Sequence, residues 1–334
     1  MIPKLLFAGR LEREYILPSE GTPVLDRPGG SPLYAAGAAA IWDKEIAILA
    51  RVGEDYPNQW LQQFAKHAIS PDGVQIAPGA LDLRTFRAYS NTFELSRSNP
   101  VGHFARRELA FPKALLGYRP PEEKELINPD THPSTPLVTE IPNDYMQVQA
   151  LHLTPLDFKS QGQMLIAFRA ASAKIITLDP SPRYMLPNRL HDLRFILDGL
   201  TAFIPSEEEL RALFWGETHD LWAMAEEVGR FGCQLIVVKR GREGQLIYDA
   251  GAKKRWELPA YSSRVADMTG AGDAFCGGFL AGFQQCEDPL RSAAYGNVSA
   301  SLSMEGSGPF YPLDVLPGLA QARLDALIDL IQEV

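Results

Sequence analysis

Residues 267–283, DMTGAGDAFCGGFLAGF, combine a turn of small residues with a carboxylate and an apolar pattern of helical period. Phenylalanine recurs at every fourth position after the turn, as on one face of a helix. A helix that begins near Gly270, Ala271 and Gly272 leaves the N–H groups of its first turn free, and its dipole favours an anion there. The small side chains let a phosphate reach those amides. The sequence therefore predicts an anion site at this helix start.

Asp273 lies in the first turn of the predicted helix. A carboxylate repels phosphate, so it suits simple anion binding poorly, but it is well placed to take a proton from an attacking hydroxyl. We therefore predict that Asp273 is a catalytic base. The alternative from the local pattern is a structural role, in which Asp273 caps the helix or offsets its dipole.

Two other glycine-loop chemistries are disfavoured. The sequence contains no GxxxxGK[ST] segment, which excludes a Walker-type phosphate loop. The segment GAGDAF differs from GxGxxG and follows RVADMT rather than a strongly apolar strand. A dinucleotide-binding dehydrogenase is therefore not expected.

The same segment resembles the C-terminal signature of the ribokinase (PfkB) family of carbohydrate kinases, approximately D[TP]TGAGDxFxxGF. DMTGAGDAFCGGF agrees with it at nearly every position, and Met268 is the main departure. The resemblance implies a ribokinase-like three-layer α/β/α sandwich with a mainly parallel central sheet and a small β lid. It also implies transfer of the γ-phosphoryl group of ATP to a hydroxyl, with Asp273 as base and the amides of residues 270–273 stabilising charge.

On the substrate side the resemblance is looser. Glu14, five residues after Gly9, resembles an acidic residue, usually Asp, that binds substrate hydroxyls. Gly29 and Gly30, followed by SPLYAA, resemble GGxxxNxA, with Tyr34 in place of the substrate-binding Asn. The resemblance implies that these four residues bind substrate. Tyr34 is also compatible with a core aromatic residue of an Ala-rich helix.

On the nucleotide side, SEEE at 206–209 resembles the family motif NxxE, with Ser206 in place of the Asn and with the Glu retained as Glu209. In the family, this Glu helps to organise Mg²⁺ through water. KRGREG at 239–244 resembles a TxGxxG turn near the nucleotide, which implies nucleotide contacts from Lys239, Gly241 and Gly244, although a solvated basic turn remains open. Ser181 replaces another family Asn. Many members use a monovalent cation such as K⁺, for which Asp267 and the loop 303–308 are the candidates.

Strand-like and helix-like segments alternate along most of the chain, which predicts an α/β fold with helices on both faces of a mainly parallel sheet. We expect one kinase domain over 1–334. Segments at about 10–28 and 83–105 are β-rich without intervening helices and are predicted to form the lid. The Pro- and charge-rich stretch at about 96–143 is predicted to be an irregular extension.

The formal net charge of -9 gives no broad attraction to nucleic acid or anionic membranes, so neither is an expected partner. The 3 cysteines form no CxxC pair and the 6 histidines show no paired spacing, so we expect neither a disulfide framework nor a zinc site. Cysteines without a disulfide framework are typical of a reducing compartment, so we expect a cytoplasmic location. The expected partners are ATP and a small sugar-like molecule. A nucleoside acceptor and a non-catalytic, regulatory relative are the alternatives, and pairing of lid edges predicts a homodimer.

Overall fold

A computed structural model of the chain describes residues 2–120, 132–171 and 173–334. The strands are β1 (Leu5–Ala8), β2 (Glu12–Leu17), β3 (Val24–Gly29), β4 (Ile46–Gly53), β5 (Ile69–Ala77), β6 (Arg84–Tyr89), β7 (Leu95–Ser96), β8 (Ala150–Leu153), β9 (Ile175–Leu178), β10 (Ala202–Phe203), β11 (Leu235–Lys239), β12 (Gln245–Asp249), β13 (Lys254–Leu258) and β14 (Gln332–Glu333). The α-helices are α1 (Ser31–Ala39), α2 (Asn58–Lys66), α3 (Pro100–Arg106), α4 (Phe158–Ala170), α5 (Arg194–Leu197), α6 (Glu207–Leu213), α7 (Leu221–Gly229), α8 (Ala271–Cys286), α9 (Pro289–Met304) and α10 (Leu319–Ile328).

The larger sheet has 10 strands in the order β14-β13-β12-β11-β10-β9-β8-β1-β4-β5. The strands from β11 to β5 in this order pair in parallel, whereas β12, β13 and β14 add an antiparallel edge. The central strand β1 is buried on both faces, because Leu5 and Phe7 belong to one core and Leu6 and Ala8 to the core on the opposite face. Such two-sided burial is typical of parallel sheets covered by helices.

Helices cover both faces of this sheet. The helices α4 to α7 pack on the face of Leu6, and α1, α8, α9 and α10 pack on the other face. Aspartates at the starts of three helices accept backbone N–H groups and so define where the helices begin: Asp157 for α4, Asp220 for α7 and Asp288 for α9. The predicted α/β/α architecture with a mainly parallel central sheet is confirmed.

A second sheet of 4 strands, in the order β3-β2-β6-β7, lies apart from the larger one. The strands β2 and β6 pair in parallel, and the outer pairs are antiparallel. Its own small core contains Tyr15, Leu17, Phe86 and Phe104. The second sheet was expected from the β-rich segments, and its action as a lid stays a prediction.

The predicted irregular extension contains a short helix, α3, within its described part. Pro100 begins this helix, and the side chain of Asn99 accepts the N–H of Gly102 at 3.0 Å. A proline at the first helical position and an Asn cap explain why a helix forms in this Pro-rich stretch. The centre of the predicted extension, 121–131, lies outside the described residues. In the part of the chain that the structure covers, no helix has the length and apolar character needed to cross a membrane.

Candidate active site

The predicted site residues Ser206 and Lys239 lie at the carboxyl edge of the large sheet, together with Gly9 and with Asp179, which was not predicted. Gly9 directly follows β1, Asp179 follows β9, and Lys239 ends β11. Ser206 follows β10 and forms a bridge with Lys239. Ligands of open parallel α/β sheets bind at this edge, so the fold brings the candidate residues to the place where a site is expected.

The helix α8 begins at this edge with the predicted anion site. Gly270 caps the helix with φ 76°, a left-handed conformation that favours glycine. The N–H groups of Gly272 and Asp273 lie in the first turn, where a helix offers them no carbonyl partner. The N–H of Ala271 donates to the carbonyl of Met268 at 3.2 Å. The geometry therefore presents a short row of amides to an anion.

The aromatic ring of Tyr34 lies directly against the backbone of Gly270. A methyl group added at Gly270 would lie within 3.0 Å of three ring atoms, including Cε1 at 2.7 Å. Tyr34 is buried, with 3% of its surface exposed. Its hydroxyl donates to Glu14 Oε2 at 2.8 Å and accepts from Arg27 Nη2 at 2.9 Å. The ring of Tyr34 thus packs against the turn at the start of α8 and is held there by its hydrogen bonds to Glu14 and Arg27.

An apolar cavity of about 390 Å³ lies on one side of the α8 start. Ala271 and Gly272 form its floor, and Lys239, Gly241 and Arg242 form part of its wall. The remaining wall is mainly apolar, with contributions from Tyr261, Val265, Met268, Phe275 and Met304. We refer to this space as the apolar cavity. Its size and its contact with the anion site suit a ligand with an apolar ring and an anionic tail.

A second cavity of about 320 Å³ lies on the other side and is lined by several arginines. Its lining residues are Arg10, Glu12, Ser31, Thr85, Phe86, Arg87, Arg97, Tyr118, Pro155, Ser181, Pro182, Arg183 and Glu209. We refer to it as the arginine-lined cavity. Charged groups of both signs and the half-buried ring of Tyr118 suit a polar small molecule with hydrogen-bonding groups and a flat face.

Asp273 lines neither cavity itself but has a neighbour in the lining of each. Ser31 of the arginine-lined cavity hydrogen-bonds to its carboxylate, and Lys239 of the apolar cavity is its strongest charged neighbour. Burial raises the pKa of Asp273 to about 6, although Lys239 and the Ser31 hydrogen bond partly lower it. The carboxylate is therefore charged at neutral pH and more basic than an ordinary aspartate.

Lys239 forms an ion pair with Asp179, with Nζ 2.6 Å from Oδ2. Burial raises the pKa of Asp179 to about 7 even though the lysine charge opposes this shift. Burial also raises the pKa of Glu209, whose Oε2 accepts the backbone N–H of Ser206 at 2.7 Å. Asp179, Glu209 and Asp273 thus form a region of negative charge that Lys239 only partly offsets.

This carboxylate region fits a divalent cation. Glu209 and Asp273 both disfavour ionisation of Asp179, so a positive ion nearby would stabilise the charged form of this carboxylate. No group of three or more His, Cys, Asp or Glu side chains within residues 2–120, 132–171 and 173–334 forms a ready-made metal site. Mg²⁺ binds commonly through one or two carboxylates, waters and phosphates, and the residues present suit that mode.

Glu14 and Tyr34, both predicted to bind substrate, belong to a buried ion-pair network. Glu14 Oε1 accepts from Arg87 Nη1 at 3.3 Å, and Oε2 accepts from Arg27 Nε at 3.1 Å. Burial raises the pKa of Glu14 despite these two charges. Glu12, two residues earlier on the same face of β2, lines the arginine-lined cavity instead. The contacts favour Glu12, and the role of Glu14 stays a prediction.

Asp267, predicted to hold a monovalent cation, has a guanidinium as its neighbour. Arg27 Nη2 lies 3.5 Å from Asp267 Oδ2, and Ser307 donates to the same oxygen. Oδ1 accepts the N–H of Thr269 at 2.9 Å. Because an arginine already supplies positive charge at this carboxylate, the arrangement does not fit a bound K⁺.

The predicted glycines occupy tight backbone positions. Gly30 caps α1 with φ 99°, and a methyl group there would lie 3.0 Å from the backbone of Glu12. At Gly29 an added methyl group would overlap the Glu14 side chain. Gly241 lines the apolar cavity, whereas Gly244, with φ 87°, packs against the strand β13.

Sequence reasoning missed Glu12, Arg27 and Arg87. A usable signal existed for two of them, since Glu12 precedes Glu14 and Arg87 follows Thr85 by two residues, the spacing of one strand face. The register of β2 and β6 then brings these charges together, with Arg87 Nη2 2.8 Å from Glu12 Oε2. Arg27 gave no local signal.

Comparison with known proteins identifies the family and the fold. A sequence model of the family described as pfkB family carbohydrate kinase matches residues 139–315. A cytidine kinase from Thermococcus kodakarensis is 26% identical over 260 residues, which cover 77% of this chain and 81% of that protein. The chain is thus similar to enzymes that phosphorylate small molecules.

Solved structures of the same fold cover nearly the whole chain. A fructokinase with bound ATP from Xylella fastidiosa superimposes with a TM-score of 0.70 at 20% identity, covering 98% of each chain. A nucleoside kinase from Burkholderia thailandensis in complex with inosine gives a TM-score of 0.69 at 15% identity, covering 97% of this chain and 98% of the other. The fold is therefore ribokinase-like.

Proposed function

Since the chain belongs to the pfkB family of carbohydrate kinases, whose sequence model matches more than half of its residues, we propose that it is an ATP-dependent phosphotransferase. It transfers the γ-phosphoryl group of ATP to a hydroxyl, in the first place a hydroxymethyl group, of a sugar or sugar-like molecule. The observation that carries the proposal is the position of Asp273 in the first turn of α8, with neighbours that line both cavities.

In this proposal the acceptor binds in the arginine-lined cavity and ATP in the apolar cavity. The acceptor oxygen bonds to the γ-phosphorus, its proton passes to Asp273, and the bond to the β,γ-bridging oxygen breaks so that ADP leaves with the electron pair. A pKa of about 6 suits this step, because the carboxylate is both deprotonated and basic at neutral pH. The amides of Gly270 and Gly272 stabilise charge on the transferring group, whereas the N–H of Ala271 already donates to the Met268 carbonyl.

The nucleotide contacts proposed from the sequence have a structural rationale. Lys239 and Gly241 border the apolar cavity, where the lysine charge offsets phosphate charge. Ser206 holds Glu209 in position through two hydrogen bonds, from its N–H and its hydroxyl. Glu209 would help to hold Mg²⁺, which when bound offsets the charge of the polyphosphate, whereas Asp179 already pairs with Lys239. Gly244 shapes the turn behind Gly241.

A nucleoside is the second class of acceptor. The half-buried Tyr118 belongs to the lining of the arginine-lined cavity, and aromatic side chains stack well on a flat base, whereas the Phe86 ring is fully buried in the core of the small sheet. The similarity to a cytidine kinase over most of both chains favours the same class. A nucleoside can make this stacking contact and a free sugar cannot, so substitution of Tyr118 should weaken binding of a nucleoside more than binding of a sugar.

A non-catalytic, regulatory relative is the alternative outside enzymes. The observation in its favour is that Tyr34, Ser181 and Ser206 stand where the family has asparagine. The retained Asp273 argues against it, because a protein that only binds nucleotide gains nothing from a carboxylate beside phosphate.

The experiment measures ADP formation with Mg²⁺-ATP over a panel of sugars, polyols and nucleosides, preselected by the rise in melting temperature that each ligand produces. We expect turnover with at least one compound. Asp273→Asn should lower kcat by roughly 10²–10⁴-fold, the usual contribution of a general base. Its melting temperature at pH 8 should be equal to or above that of the unchanged protein, because the substitution removes a charge that burial disfavours.

Asp220→Asn is the matched control, since Asp220 also lies at a helix start and accepts the N–H of Trp222 but borders neither cavity as described. It should keep full activity. If no compound is phosphorylated and Asp273→Asn leaves ligand binding unchanged, the enzyme proposal is wrong. Tight ligand binding without turnover would support the regulatory alternative.

A further inference from the structure

Arg27, at the end of β3 in the small sheet, reaches the loop that the sequence predicts as a monovalent-cation site. Its Nη2 lies 3.5 Å from Asp267 Oδ2, and its Nη1 donates to Ser307 Oγ at 2.7 Å. A methyl group built on Gly308 would lie 3.2 Å from Nη1, so the guanidinium also contacts this loop. One arginine thus touches both parts of the predicted site.

The guanidinium is a permanent charge at this position. Burial alone would lower the pKa of Arg27, but Tyr34, Glu14 and Asp267 outweigh burial and raise it. Only 17% of its side chain is exposed, and the Asp267 side chain is 2% exposed. A K⁺ ion at Asp267 would lie next to a fixed charge of the same sign, and like charges at so short a distance repel.

We propose that Arg27 is a built-in counter-ion that replaces the monovalent cation, so that this protein needs no K⁺ for stability or for activity. The part that concerns activity rests on the proposed phosphotransferase function, and the part that concerns stability does not.

Arg27 is a positioning residue in this proposal, because it acts through Asp267. Asp267 Oδ1 fixes the N–H of Thr269, and Thr269 leads directly into Gly270 and the first turn of α8. The Thr269 hydroxyl also bonds to Tyr89 of β6 at 2.9 Å. The charge of Arg27 offsets that of Asp267, so that Asp267 does not repel a phosphate at the start of α8. The contacts of Arg27 from β3 and of Tyr89 from β6 also hold this turn to the small sheet.

The test compares KCl with choline chloride at equal ionic strength, measuring melting temperature and, with the acceptor found above, kcat/KM. The unchanged protein should respond equally to both salts. Arg27→Ala leaves space for a cation between Asp267, Ser307 and Gly308. Its melting temperature should rise with KCl but not with choline chloride, and kcat/KM without K⁺ should fall about 10²-fold, as when a reacting group is slightly misplaced. Guanidinium ion at low millimolar concentration should also rescue it.

Arg13→Ala is the matched control, because Arg13 pairs with Asp26 at 2.6 Å within the same small sheet. It should lose stability without any difference between the two salts. A K⁺-specific rise in melting temperature or activity of the unchanged protein would overturn the proposal, as would an Arg27→Ala protein that melts alike in both salts. If Arg27→Ala does not fold, Arg27→Lys takes its place and should remain indifferent to K⁺, while a K⁺-specific stabilisation of it would overturn the proposal.

Discussion

Substituting Gly270 by Ala tests the packing of Tyr34 against the turn at the start of α8. Two penalties add at this position. An L-residue at φ 76° costs roughly 1–2 kcal/mol relative to glycine. The new methyl group would lie within 3.0 Å of three atoms of the buried Tyr34 ring, and overpacking of this kind costs roughly 1–3 kcal/mol. We expect Gly270→Ala to lower the free energy of unfolding by about 2–5 kcal/mol, a large part of the usual total.

Gly199→Ala separates the two penalties. Gly199 has φ 72°, and an added methyl group there has no atom within 4 Å, so only the backbone cost of about 1–2 kcal/mol applies. Urea denaturation of both variants, followed by tryptophan fluorescence, gives the difference directly. Tyr34→Ala combined with Gly270→Ala should cost less than the sum of the single variants, because the overlap disappears. If Gly270→Ala costs no more than Gly199→Ala, the ring does not support the turn in this way.

Two further predictions concern the charges around Asp273. Below the pKa of Asp273, kcat/KM for the acceptor at saturating ATP should fall tenfold per pH unit, because protonation removes the base. This pKa should be about 6 or higher, since the bound phosphates raise it further. A flat profile down to pH 5 would contradict the prediction. Lys239→Met should lower stability at pH 8 by roughly 3–5 kcal/mol by leaving Asp179 buried without its partner. Because Lys239 lowers the pKa of Asp179, this pKa should lie above 7 in the variant, and the deficit should shrink as pH falls towards about 7. Equal melting deficits at pH 6 and pH 8 would refute that explanation.

The layered fold followed from local patterns. Apolar runs such as LLFA at 5–8 alternate with helical segments, and period alone distinguishes these two kinds of element. The anion site at Gly270 was equally local, since a glycine-rich turn before an apolar helix needs no distant residue to be recognised. The helix at Pro100 was missed because its Asn cap and proline were outweighed by the polar, Pro-rich composition around them.

The acceptor side depends on contacts that no local pattern contains. Arg27 meets Asp267 and Ser307 only because β3 folds over the start of α8, and these residues are far apart along the chain. Tyr34 could equally have been a core aromatic or a pocket residue, and the close approach of α1 to α8 decides that it packs beneath Gly270. Charge pairing across a sheet requires the strand register, which the sequence alone does not give.

The departures from the family pattern on the substrate side are best explained as one linked change. The longer arm of Glu14 reaches Arg27, and the hydroxyl of Tyr34 bonds to both, so that the three side chains satisfy one another. Either change alone would leave a buried polar group without its partner, which costs more than the hydrogen bond contributes. Once this network is closed, Glu12 and its partner Arg87 are the charged pair left on that strand face towards the arginine-lined cavity. Acceptor recognition is therefore expected to begin at Glu12, and a Glu12→Gln protein should lose affinity for the acceptor while retaining affinity for ATP.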